Sequence, residues 1–303
     1  MSRDMIKHII NSVIRKGYWF NNVSFDGCSR LIKYKVFNTD VVNLGSTSAV
    51  HAFNYEGMGI KGGNWAMPRN PLLGDYAILR NYSSFLKKKG SIVIISLCPF
   101  SAFSGSYDYL DDRFYTILYP TTIPNYCYSH ELQVRSRWNN PLLTYPIFAL
   151  FLDIWHIFIR GRKKKITEEE LQRDAEYRMK SWMHEFSIKD FSLELSLKNK
   201  DAIEDAAGYL NNIIGYCRDN GASPVIVIPP VYHTLNEMFS PKIKTILFDK
   251  LLGKIDDKSV PFLNYMDSKH FTNDISLFRD SFLLNNSGAK KFTKLVLEDL
   301  RII

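Results

Sequence analysis

Short runs of β-branched and aliphatic residues alternate along this chain with longer stretches whose apolar positions recur every three to four residues. Residues 40–44, 61–67, 91–97, 224–228 and 261–265 have the length and composition of buried strands. Helical spacing marks residues 4–16, 75–88, 201–220 and 290–300. In the second of these, Ala77, Ile78, Leu79, Tyr82 and Phe85 share one face and Gly90 supplies a stop; in the third, Ile203, Ala206, Ala207, Leu210, Ile213 and Ile214 do so before Gly221. Thr167-Glu168-Glu169-Glu170 fits a capping box opening a further helix through about Trp182. Strands alternating with helices predict an α/β fold, a mainly parallel sheet covered by helices on both faces.

The alternation is interrupted between the third and fourth strands, where residues 98–200 exceed what a crossover needs. The expected division is therefore 1–97 and 201–303 as two parts of one α/β domain, with a helical insertion or lid between them. The insertion opens with an aromatic and glycine-rich stretch, Phe100 to Tyr109, which suits either a surface loop or stacking on sugar rings. Within it, residues 141–159 are almost wholly apolar but contain Pro146, Asp153 and His156, and Arg160-Gly161-Arg162-Lys163-Lys164-Lys165 follows. Three readings stand: a membrane span, a helix lying in the membrane interface with 146–165 as the peripheral contact, or a helix buried in the fold or an oligomer interface.

Candidate chemistry begins at Val41-Val42-Asn43-Leu44-Gly45-Ser46-Thr47-Ser48, a strand running into a glycine turn that presents consecutive hydroxyls. Open α/β sheets bind ligands at that edge, although a glycine followed by serines also describes an ordinary strand-to-helix junction with an N-cap. Three histidines could serve a hydroxyl there. His51 lies four residues after Thr47, His233 follows the strand that ends at Pro229-Pro230, and His270 completes Asp267-Ser268-Lys269-His270.

Near the carboxyl end stands Phe278-Arg279-Asp280-Ser281-Phe282-Leu283-Leu284-Asn285-Asn286-Ser287-Gly288-Ala289. The first segment resembles block I of the SGNH/GDSL hydrolase superfamily, and this one resembles its block V, D-x-x-H-L-N-x-x-G-A, through Asp280, Leu284, Asn285, Gly288 and Ala289. No clear G-x-N-D block is present. The comparison is to divergent members associated with surface-polysaccharide biosynthesis. It implies a flavodoxin-like three-layer fold and ester chemistry on a cell-surface glycan or a lipid-linked precursor, by an O-acyl esterase or acyltransferase. Under it, a hydroxyl of Ser46 or Thr47 is the nucleophile, His233 the base and Asp280 its orienting acid. Gly63, Asn64 and Asn285 form the oxyanion and substrate-binding groups. The departures are chemical: Leu283 stands where the pattern has histidine, and Gly45-Ser46-Thr47 replaces G-D-S. They leave open a catalytically inactive glycan-binding or assembly protein, or a scaffold docked on a membrane.

With 303 residues, nearly half of them apolar, the chain is long enough for such a domain plus an insertion. Cys28, Cys98, Cys127 and Cys217 are scattered without metal spacing, so reduced thiols and no metal are expected. No Walker A loop or G-x-G-x-x-G appears, and no cofactor is expected. The net charge is +8, but the basic residues accompany no nucleic-acid motif, so acidic glycans or a membrane are the partners to expect. Residues 5–14 are interrupted by Lys7, His8 and Asn11 and lack a signal-peptide pattern, which points to a cytoplasmic chain, peripheral on the inner membrane face if docked.

Overall fold

The computed structural model describes residues 2–106, 109–159, 166–191 and 194–303. Two compact units are formed, Met1–Tyr34 with Tyr109–Lys165, and Lys35–Asp108 with Ile166–Ile303. The division differs from the one expected at 97/98 and 200/201. Residues 98–106 and 166–200 belong to the larger, sheet-bearing unit, and the insertion proper is joined by the chain's first 34 residues. In the larger unit, packing decides this: the turn at 101–106 lies so close to the helix Leu197–Asp219 that a Cβ on Gly105 would collide with the Ala202 carbonyl.

The smaller unit is helical, with α1 (Arg3–Lys16), α2 (Cys28–Ile32), α5 (Tyr128–Asn139) and α6 (Ile147–Ile159). The larger unit holds five strands, β1 (Val41–Gly45), β2 (Gly62–Asn64), β3 (Ile92–Ser96), β4 (Ser223–Ile228) and β5 (Phe262–Asn264). Its helices are α3 (Thr47–Ala52), α4 (Leu72–Tyr82), α7 (Glu168–Glu185), α8 (Leu197–Asp219), α9 (His233–Asn236), α10 (Pro241–Lys244), α11 (Lys250–Leu252) and α12 (Asn286–Asp299). Every strand pairs in parallel, in the order β2-β1-β3-β4-β5. Each of the five strand expectations is met.

Alternation along the strands separates two faces. Val41, Ile94, Val225 and Val227 share a core with Ala49 and Ala52 of α3 and Phe292, Val296 and Leu297 of α12. The intervening Val42, Leu44, Val93, Ile95, Ile226 and Ile228 are also buried and point to the opposite face, where α4 packs against β1 and α8, and α8 against β4. A sheet buried on both sides explains why these strands are continuously apolar rather than alternating.

The aromatic stretch from residue 100 divides: its phenylalanines become core, whereas Tyr109 at its end is exposed. Phe100 and Phe103 are almost fully buried, and Phe100 packs among Trp182, Phe186, Phe191 and Phe239. Their surfaces are therefore not offered to sugars; Tyr107 of the same stretch lies outside the described residues. Of the basic run after α6, Arg160 to Lys165 also lie outside them.

Candidate functional site

The strand order reverses between β1 and β3, and open α/β sheets bind ligands outside the carboxyl ends of strands at such a point. Gly45 ends β1 opposite Ser96, the last residue of β3. Its φ is +129°, and a Cβ there would lie 2.6 Å from the Ser96 carbonyl oxygen, so glycine is required by both conformation and space.

This turn delivers Ser46 and Thr47, both partly exposed, to the sheet edge. Neither hydroxyl caps α3. Ser46 Oγ instead accepts a hydrogen bond from the Asn70 N–H at 3.1 Å, and Thr47 Oγ1 accepts one from the Arg69 N–H at 3.0 Å. Arg69 has a φ of +52°, within the turn Pro68-Arg69-Asn70-Pro71 that leads into α4. Beneath lies Asp75. Its Oδ1 accepts from the Gly45 N–H at 2.8 Å and from Asn70 Nδ2 at 2.6 Å, and burial pushes its carboxyl up to about 8 against the pull of those two donors. Around the same turn, Ser48 Oγ, Asn70 Oδ1 and Ser96 Oγ are buried without a hydrogen-bond partner among the described residues.

Gly63 and Asn64 are placed differently from this edge. Gly63 pairs with Val42 inside the sheet. The Asn64 amide donates to the carbonyls of Ala49, Val50 and Phe53, and its oxygen accepts from Asn43 Nδ2 and the Ala66 N–H. It thus closes the carboxyl end of α3, whose last carbonyls lack intrahelical partners. Asn285 has a comparable role at α12: Oδ1 accepts from the Ser287 and Gly288 N–H groups, and Nδ2 donates to the Ser276 and Phe278 carbonyls.

Asp280 accepts from the Phe282 and Leu283 N–H groups, and Arg178 of α7 pairs with it at 3.0 Å. Burial raises its carboxyl above the ordinary value, opposed chiefly by the Arg178 charge. Arg178 also bonds Asp174, which accepts both the Ser281 N–H and hydroxyl, and it lies over the Phe282 ring. Leu283, at the position of the expected histidine, is buried.

His233 opens α9. Its Nε2 lies 2.7 Å from Glu168 and its Nδ1 3.4 Å from Glu237, while the Tyr232 hydroxyl donates to the other Glu168 oxygen. Both ring nitrogens thus face carboxylates. His51 takes a different neighbour, Arg279 Nη1 at 3.5 Å. That contact, with the Asn54 amide donating to Asn286 Oδ1, brings the two sequence blocks side by side.

The geometry therefore unites Ser46 and Thr47 with Arg69, Asn70 and Asp75, and assembles Asp280 separately with Arg178 and Asp174. Sequence reasoning missed Asn70, Asp75 and Arg178. Only the Pro-bracketed Arg69-Asn70 turn carried a local signal, because a turn between two prolines has its backbone exposed to neighbours rather than committed to a helix. Among the described residues, no group of three or more His, Cys, Asp or Glu side chains is arranged to hold a metal ion. No family model and no curated protein matches this chain.

Proposed function

We propose that this chain is a divergent relative of the SGNH/GDSL hydrolases that uses the edge at β1 and β3 to bind an acylated glycan or lipid-linked glycan precursor, without hydrolysing it. The observation that carries this reading is the Asp280–Arg178 pair. In the hydrolases that the sequence resembles, an acid at this place orients a histidine; here it neutralises a guanidinium, and Leu283 fills the following position. A hydroxyl becomes a useful nucleophile only with a base to take its proton. Support for a ligand site comes from the strand order and from two partly exposed hydroxyls held by backbone N–H groups at the switch point. The glycan class rests on the resemblance alone, since a fold does not fix a substrate.

A second reading, ester chemistry at Ser46, is favoured by one feature. Gly45 makes a sharp positive-φ turn that places this hydroxyl, partly exposed, at the carboxyl edge of β1. Turnover of p-nitrophenyl acetate separates the two. The binding reading expects the native chain, Ser46→Ala, Thr47→Ala and His233→Ala all to match the uncatalysed background; turnover lost in Ser46→Ala would replace it with the hydrolase reading. Calorimetric titration with an O-acetylated N-acetylhexosamine then tests binding directly, with weakening expected in Ser46→Ala.

A further inference from the structure

Helix α6 is built inside out. At about 100° per residue, Ala149, Leu152, Asp153 and His156 fall within about 100° of one another, and Ile147, Phe148, Leu150, Phe151, Ile154, Trp155, Ile157 and Phe158 cover an arc of about 180° on the other side. The polar side is the one turned toward the protein. Asp153 accepts from the Trp19 N–H at 2.7 Å and from the Tyr145 hydroxyl at 2.6 Å, and His156 stacks on Tyr18. Gly17 is part of the same lock, because a Cβ there would run into the Asp153 carboxylate. Ala149 is fully buried, whereas Ile147, Phe151, Trp155, Ile157 and Phe158 are each more than 60% exposed. A second apolar stripe, Met5, Ile6, Ile9, Ile10 and Val13, is exposed on α1 of the same unit.

We infer that these faces of α1 and α6 seat the smaller unit on an anionic lipid surface, independently of what binds at the sheet edge. Two observations select lipid over a protein partner, and a third sets the helix in the plane of the membrane rather than across it. The apolar arc of α6 covers about half its circumference, wider than the roughly 100° stripe that a helix presents to a packed core. Charge is segregated as well. The smaller unit has 14 Lys and Arg against 6 Asp and Glu, the whole of the chain's +8, while the larger has 25 of each. Five of those cations directly follow α6 in the sequence, between Arg160 and Lys165. Finally, α6 has 13 residues, about 20 Å of helix, against a hydrocarbon core of about 30 Å. No described helix is long and apolar enough to cross a membrane. A short, broadly apolar helix followed in the sequence by concentrated positive charge suits a segment lying in the plane of an anionic interface.

The experiment is co-flotation of the full chain with phosphatidylcholine vesicles containing phosphatidylglycerol, and with phosphatidylcholine vesicles alone. The comparison variant is Phe151→Ser/Trp155→Ser/Phe158→Ser, whose altered side chains are exposed and whose fold is checked by circular dichroism. The expected result is flotation with the anionic vesicles, reduced at least about tenfold in the variant and weakened by salt. Failure of the native chain to float, flotation that the variant retains, or equal binding to neutral vesicles would overturn the inference. So would a lipid-free dimer, measured by light scattering, that the variant dissociates, which would assign the face to a second copy.

Discussion

Arg178 holds two acids at once: its Nη2 lies 3.0 Å from Asp280 Oδ2 and its Nε 2.8 Å from Asp174 Oδ2. The guanidinium fork therefore links α7 to the carboxyl-terminal block, where Asp174 also accepts the Ser281 hydroxyl at 2.6 Å. Each of the three side chains is about a quarter exposed or less, so the cluster is only partly screened by water.

Removing the cation should leave two neighbouring carboxylates with no counter-charge. Arg178→Met is expected to cost about 2–3 kcal/mol of stability in urea unfolding, and Asp280→Asn in the same background should recover part of it. Additive losses in the double variant would show that the pair contributes no coupling.

At the turn of β1, Gly45→Ala is expected to be severe. It forces a side chain onto φ +129° and places its Cβ 2.6 Å from a backbone oxygen, so we expect a loss of about 3 kcal/mol or more by thermal unfolding. Gly90→Ala is the control, with φ +85° and open space around its Cβ; about 1 kcal/mol is expected there.

Asp75 should impose a pH dependence of defined sign. Its carboxyl moves from an ordinary value of 3.8 to about 8 in the folded chain, so between those pH values the folded state keeps a proton that the unfolded state releases. Stability from this group is complete below about pH 4 and is lost as pH rises toward about 8, at up to about 1.4 kcal/mol per pH unit. Asp75→Asn mimics the neutral acid and keeps the oxygen that Gly45 needs, so subtracting its unfolding profile from the native one should isolate this slope. Parallel profiles would refute the assignment.

The Asn64 amide is expected to matter for α3 rather than for catalysis. Asn64→Leu deprives three carbonyls of their donor and should cost about 2–3 kcal/mol, with faster amide exchange across Thr47–Ala52. Unchanged exchange there would argue against Asn64 closing the carboxyl end of α3.

The sequence alone determined the architecture of the larger unit. Short strand-like runs, the most apolar of them at 92–95 and 225–228, alternate with helical spacing and admit few arrangements besides a parallel sheet covered on both faces, and Gly45 marked where the first strand must turn. It also located the hydroxyls of Ser46 and Thr47, because they follow that strand directly. Other features depended on contacts across long separations. Asp75 meets Gly45 across 30 residues, and Arg178 meets Asp280 across about a hundred; neither distance leaves a local pattern. Asn64 and Asn285 were expected among the oxyanion and substrate-binding groups, and only the folded chain decided that their amides would satisfy helix termini. The same holds for Phe100 and Phe103, which are indistinguishable from surface aromatics until α7 and its neighbours close over them. In α6 the periodicity was plain from the residues, yet whether its apolar arc faced inward or outward was decided by the two bonds to Asp153, because helix geometry groups side chains onto faces and leaves the choice of which face is covered to the partners that fold against it.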